Sequence, residues 1–76
     1  MIHYKGFEVV PRITQLADGD WGAEVVLERH HTDGVRSRAF PAVGTFEHES
    51  DAMEAALEMG RQVLDGEVPG SSVEDL

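Results

Sequence analysis

Two turn signals in the first half of the chain constrain its fold more than any other feature. Ala17-Asp18-Gly19 and Asp33-Gly34 separate three segments in which apolar and polar side chains alternate. Alternation with a period of two is typical of half-buried β-strands, and Asp-Gly is a favoured pair for a two-residue hairpin loop. The pattern therefore predicts three antiparallel strands, which begin at Phe7, span Trp21 to His31, and run from Val35 to about Phe46.

The two turns can be checked against each other because each one fixes a strand register. A three-residue loop at 17–19 places Val9 opposite Leu27, and a two-residue loop at Asp33-Gly34 places Leu27 opposite Phe40. The same counting places Trp21 opposite Phe46. A slip of one residue would scatter the apolar side chains over both faces of the sheet. Instead, both registers gather one apolar set on one face: Phe7, Val9, Ile13, Trp21, Val25, Leu27, Phe40 and Phe46.

After Phe46 the apolar spacing becomes helical. Gly66 is a suitable residue to end such a helix, and His48 or Ser50 is its N-cap. Gly60 allows the helix axis to approach the sheet closely, with Trp21 and the phenylalanines filling the remaining space. The stripe that predicts the helix consists of Ala52, Ala55, Ala56, Met59, Gly60, Val63 and Leu64.

The sequence thus predicts an α+β fold in the order β-β-β-α, a three-stranded antiparallel meander with one C-terminal helix packed on one face. Residues 1–66 form the single domain, and residues 67–76 form a flexible acidic tail rich in Pro, Gly and Ser. In a three-stranded meander the outer strands are edges, which suits Pro11 and Pro41 because proline donates no ladder hydrogen bond.

Composition limits what a chain of 76 residues can do. It has no cysteine, so disulfides and thiolate metal sites are excluded, and it has no apolar run of membrane-spanning length. We expect a cytoplasmic protein. The formal charge of −9 disfavours nucleic acid as a partner of the whole surface. Oligomerisation is a common source of stability for a domain this small.

Several short motifs carry a resemblance. His3-Tyr4-x-Gly6-Phe7, Asp18-Gly19-x-Trp21-x-Ala23, Gly44-Thr45-Phe46 and Ala52-x-x-x-Ala56-x-x-x-Gly60-Arg61-x-x-x-Asp65 resemble a family of small uncharacterised proteobacterial proteins. The resemblance covers roughly residues 3–66 and implies a bacterial setting but no activity. His48 departs from the Ser or Thr typical of that helix start. By topology alone, the order is also similar to integrase-type and AP2-type DNA-binding domains and to the second half of double-stranded-RNA-binding domains, although such analogy carries little functional weight.

No catalytic, cofactor or metal motif stands out in the sequence. His30 and His31 are neighbours in a strand and point to opposite faces, while His3 and His48 have no ligand at helical or turn spacing. The serines lie in no nucleophile-elbow motif, and the glycines lie singly at turns. We therefore expect no catalytic residues, no cofactor and no metal, and we expect that the protein is not an enzyme.

A basic hairpin is the first candidate site. By the predicted registers, Arg29, His31, Arg36 and Arg38 cluster at the tip of the second hairpin, on the helix side of the sheet. One interpretation is an anion or nucleic-acid contact. The alternative is that these arginines pair with acids of the helix or tail and relieve the charge imbalance.

The second candidate is the sheet face that the helix leaves open. Val10, Val26, Ala39, Pro41 and Val43 fall there and form an apolar strip, in which Val10 faces Val26 and Val26 faces Pro41. A contiguous strip suggests a covered surface. Its cover is a second copy of the chain, another protein, or the tail through Val68, Val73 and Leu76, unless the face is simply a half-apolar exposed one. An outer strand could also pair with a strand of a partner.

Three functions stay open from the sequence. The first is a small non-enzymatic binding or assembly module whose partner is another protein or, in a homodimer through the open face, itself. The second is a nucleic-acid-binding accessory domain that uses the basic hairpin. The third is an enzyme subunit with an unrecognised site. Neither a membrane nor a metal is an expected partner.

Overall fold

A computed structural model describes residues 2–42 and 44–76 of the chain. The elements are β1 (Ile2–Tyr4), β2 (Phe7–Gln15), β3 (Trp21–His31), β4 (Gly34–Pro41) and α1 (Glu49–Leu64). The strands form an antiparallel sheet in the order β1-β2-β3-β4, and α1 packs on one face of it. The predicted α+β class is confirmed. No helix of the described part of the chain is both long and apolar enough to cross a membrane.

The prediction of three strands is wrong, because β1 adds a fourth. Tyr4 pairs with Phe7 across a two-residue loop, in which Lys5 (φ 50°) and Gly6 (φ 84°) both have positive φ. Positive φ at both positions is the signature of a type I′ turn. A strand of three exposed residues is too short to display alternation, which is why the sequence pattern did not reveal it.

The first long hairpin has the predicted register. Val9 pairs with Leu27 and Pro11 with Val25, and the Leu16 amide donates to the Asp20 carbonyl at 2.7 Å to close the loop. β2 is no longer an edge strand, but β1 pairs with it only as far as Val9. Pro11 therefore lies beyond the end of β1, where its missing amide costs no ladder hydrogen bond.

The second hairpin differs from its prediction by two residues. Phe40 pairs with Val25 rather than with Leu27, and the loop consists of Thr32 and Asp33. A type I′ loop at Asp33-Gly34 would need positive φ at Asp33, yet Lys5 is the only residue other than glycine with positive φ in the described part of the chain. Because the shift is an even number, every side chain keeps its predicted face.

The β3–β4 strand pair follows the observed register up to Ala42 and the predicted register at Phe46. The Ala42 amide donates to the Ala23 carbonyl at 2.9 Å, in the observed register, but Trp21 pairs with Phe46 as predicted. One residue separates Ala23 from Trp21, whereas three separate Ala42 from Phe46. Strand β4 therefore ends at Pro41 and Phe46 forms an isolated bridge with Trp21, whereas the sequence predicted a strand to about Phe46.

The core lies between the sheet and α1. Leu27 and Val25 are fully buried at its centre, and Leu27 and Phe40 share this face as predicted. Trp21 and Phe46, which we expected under the helix, are only half-buried. The buried apolar side chains are Phe7, Val9, Val25, Leu27, Phe40, Ala52, Ala56 and Val63.

Helix α1 lies close to the sheet at Gly60. A Cβ atom at this position would lie 3.1 Å from Val9 Cγ1 and 3.2 Å from Val25 Cγ2. The close approach predicted for Gly60 is therefore present, but it is made over the valines of β2 and β3 rather than over Trp21 and the phenylalanines.

The two ends of α1 are capped differently. His48 is the N-cap residue and makes no side-chain capping hydrogen bond. At the other end the Gly66 amide donates to the Val63 carbonyl and the Glu67 amide to the Gln62 carbonyl, while Gly66 has φ 76°. This pair of hydrogen bonds is a Schellman motif, which glycine favours because it has no Cβ in the left-handed conformation.

The 67–76 segment continues from this cap and folds back onto the core. Three of its apolar side chains pack against the buried cluster on the helix side of the sheet: Val68, Val73 and Leu76. The sequence placed this segment outside the domain and offered it as a cover for the opposite face. It lies on the helix side instead. The domain boundary at residue 66 and the flexibility of the segment both stay predictions.

Candidate functional site

The basic hairpin brings two of its arginines directly together. Arg29 on β3 pairs with Arg36 on β4, and both side chains are exposed. The Arg29 guanidinium lies 5.5 Å from the centroid of the Phe7 ring, within the range of a cation–π contact. Like charges directly opposite one another on neighbouring strands are destabilising, and this pair places two positive charges side by side at the hairpin.

Arg38 lies one row further from the hairpin tip, opposite Leu27, and is already engaged. Its two terminal nitrogens donate to the two carboxylate oxygens of Asp75 at 2.9 and 2.7 Å, and Nη1 also donates to the Ser72 carbonyl at 2.7 Å. The hydrogen bond from Arg38 lowers the pKa of Asp75, and the same contact raises the pKa of Arg38. Arg38 therefore agrees with the second interpretation of the basic hairpin, in which its arginines pair with acids of the tail.

His31 is the fourth residue predicted for this surface. It pairs with Gly34 at the hairpin tip and is half-buried. Its Nε2 atom is buried and finds no hydrogen-bond partner among the residues that the structure describes. The structure places His31 at the hairpin tip two residues after Arg29, with no charged partner among the residues it describes.

The open face of the sheet carries an apolar row across three strands. Val10 pairs with Val26 as predicted, but Val26 pairs with Ala39 rather than with Pro41, because of the two-residue shift in the second hairpin. Val10 and Val26 are half-buried, while Ala39 and Pro41 are exposed. Helix α1 and the 67–76 segment both pack on the other side. Val43, the fifth residue predicted for this face, lies outside the described residues.

Charged side chains border this apolar row on both sides. Two residues along β2 in one direction, Arg12 forms an ion pair with Glu24 at 2.7 Å. Two residues in the other direction, Glu8 lies directly opposite Glu28, and the His30 Nε2 atom is 3.2 Å from Glu8 Oε1. The row is therefore flanked by one mixed pair and one mainly acidic group.

Glu8, Glu28 and His30 also have a spacing that the sequence did not reveal. Their potential ligand atoms lie within 4.8 Å of one another, a distance at which three side chains can reach one metal ion. The sequence prediction of no metal considered helical and turn spacing. It missed this group because its members come from two strands, and only the register brings them together.

A third region, around β1, was also missed. Tyr4 Oη donates to Asp65 Oδ1 at 2.8 Å, Lys5 Nζ lies 2.7 Å from the same oxygen, and Arg61 Nη1 reaches Asp65 Oδ2 at 2.8 Å. The hydrogen bond from Lys5 is the main cause that lowers the pKa of Asp65, and the bond to Asp65 raises the pKa of Tyr4. These contacts tie the short first strand to the end of α1.

A shallow apolar groove of about 260 Å³ adjoins this network. It is lined by Ile2, His3, Tyr4, Val9, Leu57 and Arg61. Arg61, its cationic wall, already pairs with Glu58 at 2.6 Å and with Glu67 at 2.7 Å, and Glu58 is the main cause that raises its pKa. The Tyr4 hydroxyl and the Arg61 guanidinium that line the groove are both engaged within the chain, so it has the character of an incompletely filled space between β1 and α1.

Comparison with known proteins identifies the family of the chain and no activity. No curated protein matches it, and no solved structure matches it. A family model described as a domain of unknown function matches residues 1–75 and so includes the 67–76 segment almost completely. The chain belongs to this family, the domain of unknown function DUF6566.

Proposed function

We propose that the chain is a non-enzymatic assembly module that associates with a second copy of itself through the open face of the sheet. The observation that carries the proposal is the apolar row Val10–Val26–Ala39, which crosses three strands on the face opposite α1. Sheets packed face to face bury such rows against one another, and a domain of this size gains stability from association.

The charges that border the row favour one arrangement of the two copies. A two-fold axis parallel to the strands would set Glu8 and Glu28 of one copy near the same acids of the other. An axis that crosses the strands along the apolar row instead sets Arg12 over the Glu8 of the partner copy, since both lie two residues from Val10 on the same strand. An isologous interface forms each such pair twice. The same axis brings Glu24 of one copy toward Glu28 of the other, and these two acids repel each other. Because Arg12 lies 2.7 Å from Glu24, it offsets this repulsion.

The oligomeric state in solution tests the proposal. We expect sedimentation velocity to show a concentration-dependent dimer for the native chain and a monomer for Val26→Lys. Because Val26 is half-buried, Ala39→Lys at the exposed end of the same row provides a second variant. Met53→Lys, at an exposed apolar position on α1, is the matched control and should remain dimeric. A native chain that stays monomeric up to millimolar concentration would refute the proposal.

A charge exchange tests the arrangement of the two copies. Arg12→Glu and Glu8→Arg should each weaken the dimer, and the double exchange should restore a large part of the association, because it rebuilds the pair between copies. A double variant as weak as the single variants would exclude the axis that crosses the strands. Arg12→Glu also removes the ion pair between Arg12 and Glu24 within one copy. Circular dichroism of each variant therefore checks that a weaker dimer does not result from loss of the fold.

A further inference from the structure

The basic hairpin already holds a carboxylate in a defined geometry. Arg38 binds both oxygens of Asp75 in parallel and also donates to a backbone carbonyl, that of Ser72. Two parallel hydrogen bonds between guanidinium and carboxylate are the most specific form of this contact. The site is therefore shaped for a carboxylate on a peptide backbone, and here the chain itself supplies that peptide.

The same peptide carries apolar anchors on either side of its carboxylate. Val73 and Leu76 pack against the buried cluster, and a hydrogen bond from the Leu76 amide to the Val73 carbonyl at 3.0 Å closes the turn between them. The surface thus accommodates a short turn in which one carboxylate meets Arg38 while two aliphatic side chains enter the edge of the core.

The internal segment satisfies only part of the positive charge. Arg29 and Arg36 face each other across the strands, and neither forms an ion pair with any residue in the described ranges 2–42 and 44–76. An acidic segment with a second carboxylate would compensate this pair as well as Arg38. The hairpin therefore carries more positive charge than the carboxylate of Asp75 neutralises.

We propose that the surface formed by Arg29, Arg36 and Arg38 binds an acidic, aliphatic peptide segment of a protein partner, and that the 67–76 segment is its internal competitor. A peptide fits better than a nucleic acid, because the contact seen here combines a carboxylate with aliphatic anchors. A long phosphate backbone would also cross the field of the nine acids in residues 47–76. This inference concerns the helix side of the sheet and is independent of association through the open face.

Competition between the internal and an added segment provides the test. The probe is a fluorescent hexapeptide with the sequence of residues 71–76, Ser-Ser-Val-Glu-Asp-Leu. The receptor is the full chain with Asp75→Asn, which removes the internal carboxylate and keeps the side-chain size. Fluorescence anisotropy should show about ten-fold tighter binding to this variant than to the native chain, as expected from loss of a charge-assisted competitor. Binding should weaken as salt is added.

Matched variants assign the binding to the hairpin. In the Asp75→Asn background, Arg38→Ala and Arg36→Ala should abolish or strongly weaken binding, whereas Arg12→Ala on the opposite face should not. Asp51→Asn, an exposed acid on α1, controls for the change in net charge. A peptide with Gln and Asn in place of Glu and Asp should not bind.

Two results would overturn the proposal. One is the absence of peptide binding to the Asp75→Asn variant at low salt and millimolar concentration, with its fold verified by circular dichroism. The other is binding of a single-stranded oligonucleotide through Arg36 and Arg38 where the peptide does not bind, which would assign the surface to nucleic acid.

Discussion

Substitution of Gly60 by alanine tests whether the helix lies as close to the sheet as the structure indicates. Two opposing effects determine the outcome. Alanine in place of glycine inside a helix raises the free energy of unfolding by about 0.8–1.0 kcal/mol through conformational propensity. The new methyl group, however, would lie 3.1 Å from Val9 Cγ1 and 3.2 Å from Val25 Cγ2. Favourable carbon–carbon contacts begin at about 3.5 Å, so the structure must yield by roughly 0.3–0.4 Å at two points.

The surroundings of Gly60 leave little room for that adjustment. Val9 is 6% and Val25 0% exposed, and both are β-branched side chains with few alternative rotamers. Their strands are fixed by pairing with each other. Overpacking of this kind typically costs about 1–3 kcal/mol, which exceeds the gain from propensity. We therefore expect Gly60→Ala to lower the free energy of unfolding by about 1 kcal/mol, the difference between these two effects.

Urea denaturation followed by circular dichroism at 222 nm measures this change. Glu54→Ala and Glu54→Gly, at an exposed position of the same helix, give the difference between alanine and glycine without the sheet contact. Gly60→Val, with two further methyl groups, should be less stable than Gly60→Ala. If Gly60→Ala instead stabilises the protein by the amount that separates the two Glu54 variants, the close approach of α1 to the sheet is refuted.

Two further predictions concern the centre of the core and the network at β1. Leu27→Ala removes a fully buried side chain and should lower the free energy of unfolding by about 2–5 kcal/mol. Val35→Ala, at a position that is 54% exposed, should change it by less than about 0.5 kcal/mol. Equal effects of the two variants in urea denaturation would contradict the assigned core. Lys5, Tyr4 and Arg61 lower the pKa of Asp65 below its unfolded value, so its contribution to stability is present at neutral pH and is lost as the pH falls below about 4. Asp65→Asn should therefore reduce the decrease in melting temperature between pH 7 and pH 3, and an unchanged decrease would exclude this role for Asp65.

Local rules were sufficient for the part of the fold in which the turn chemistry is unambiguous. The three-residue loop closed by Leu16 and Asp20 gave the whole β2–β3 register, and the alanine and glycine stripe gave the buried face of α1. In the second hairpin the favoured Asp-Gly pair suggested the wrong loop, because Gly34 follows the two turn residues instead of occupying the second of them. The error left the core assignment intact, since a shift of two residues preserves the side-chain period.

The basic hairpin and the apolar strip of the open face were predicted from the sequence, but two polar clusters were not, because they depend on contacts between distant segments. The proximity of Glu8, Glu28 and His30 requires the register of two strands, and the network of Tyr4 and Asp65 requires a strand too short to leave a periodic signal. Composition alone also does not show that the aliphatic side chains of the 67–76 segment reach the core on the helix side, which the structure does show.

The distribution of ion pairs gives the strongest argument that the basic hairpin serves a partner. The chain contains 15 acidic and six basic residues, so an arginine that lacks an acidic partner is not explained by a shortage of acids. Among the described residues, Lys5, Arg12, Arg38 and Arg61 each form at least one ion pair, and Arg61 forms three. Arg29 and Arg36 form none and are instead placed opposite each other, where their charges repel. The cation–π contact of Arg29 with Phe7 leaves the repulsion between the two guanidinium groups in place, whereas an acidic segment of a partner would offset it.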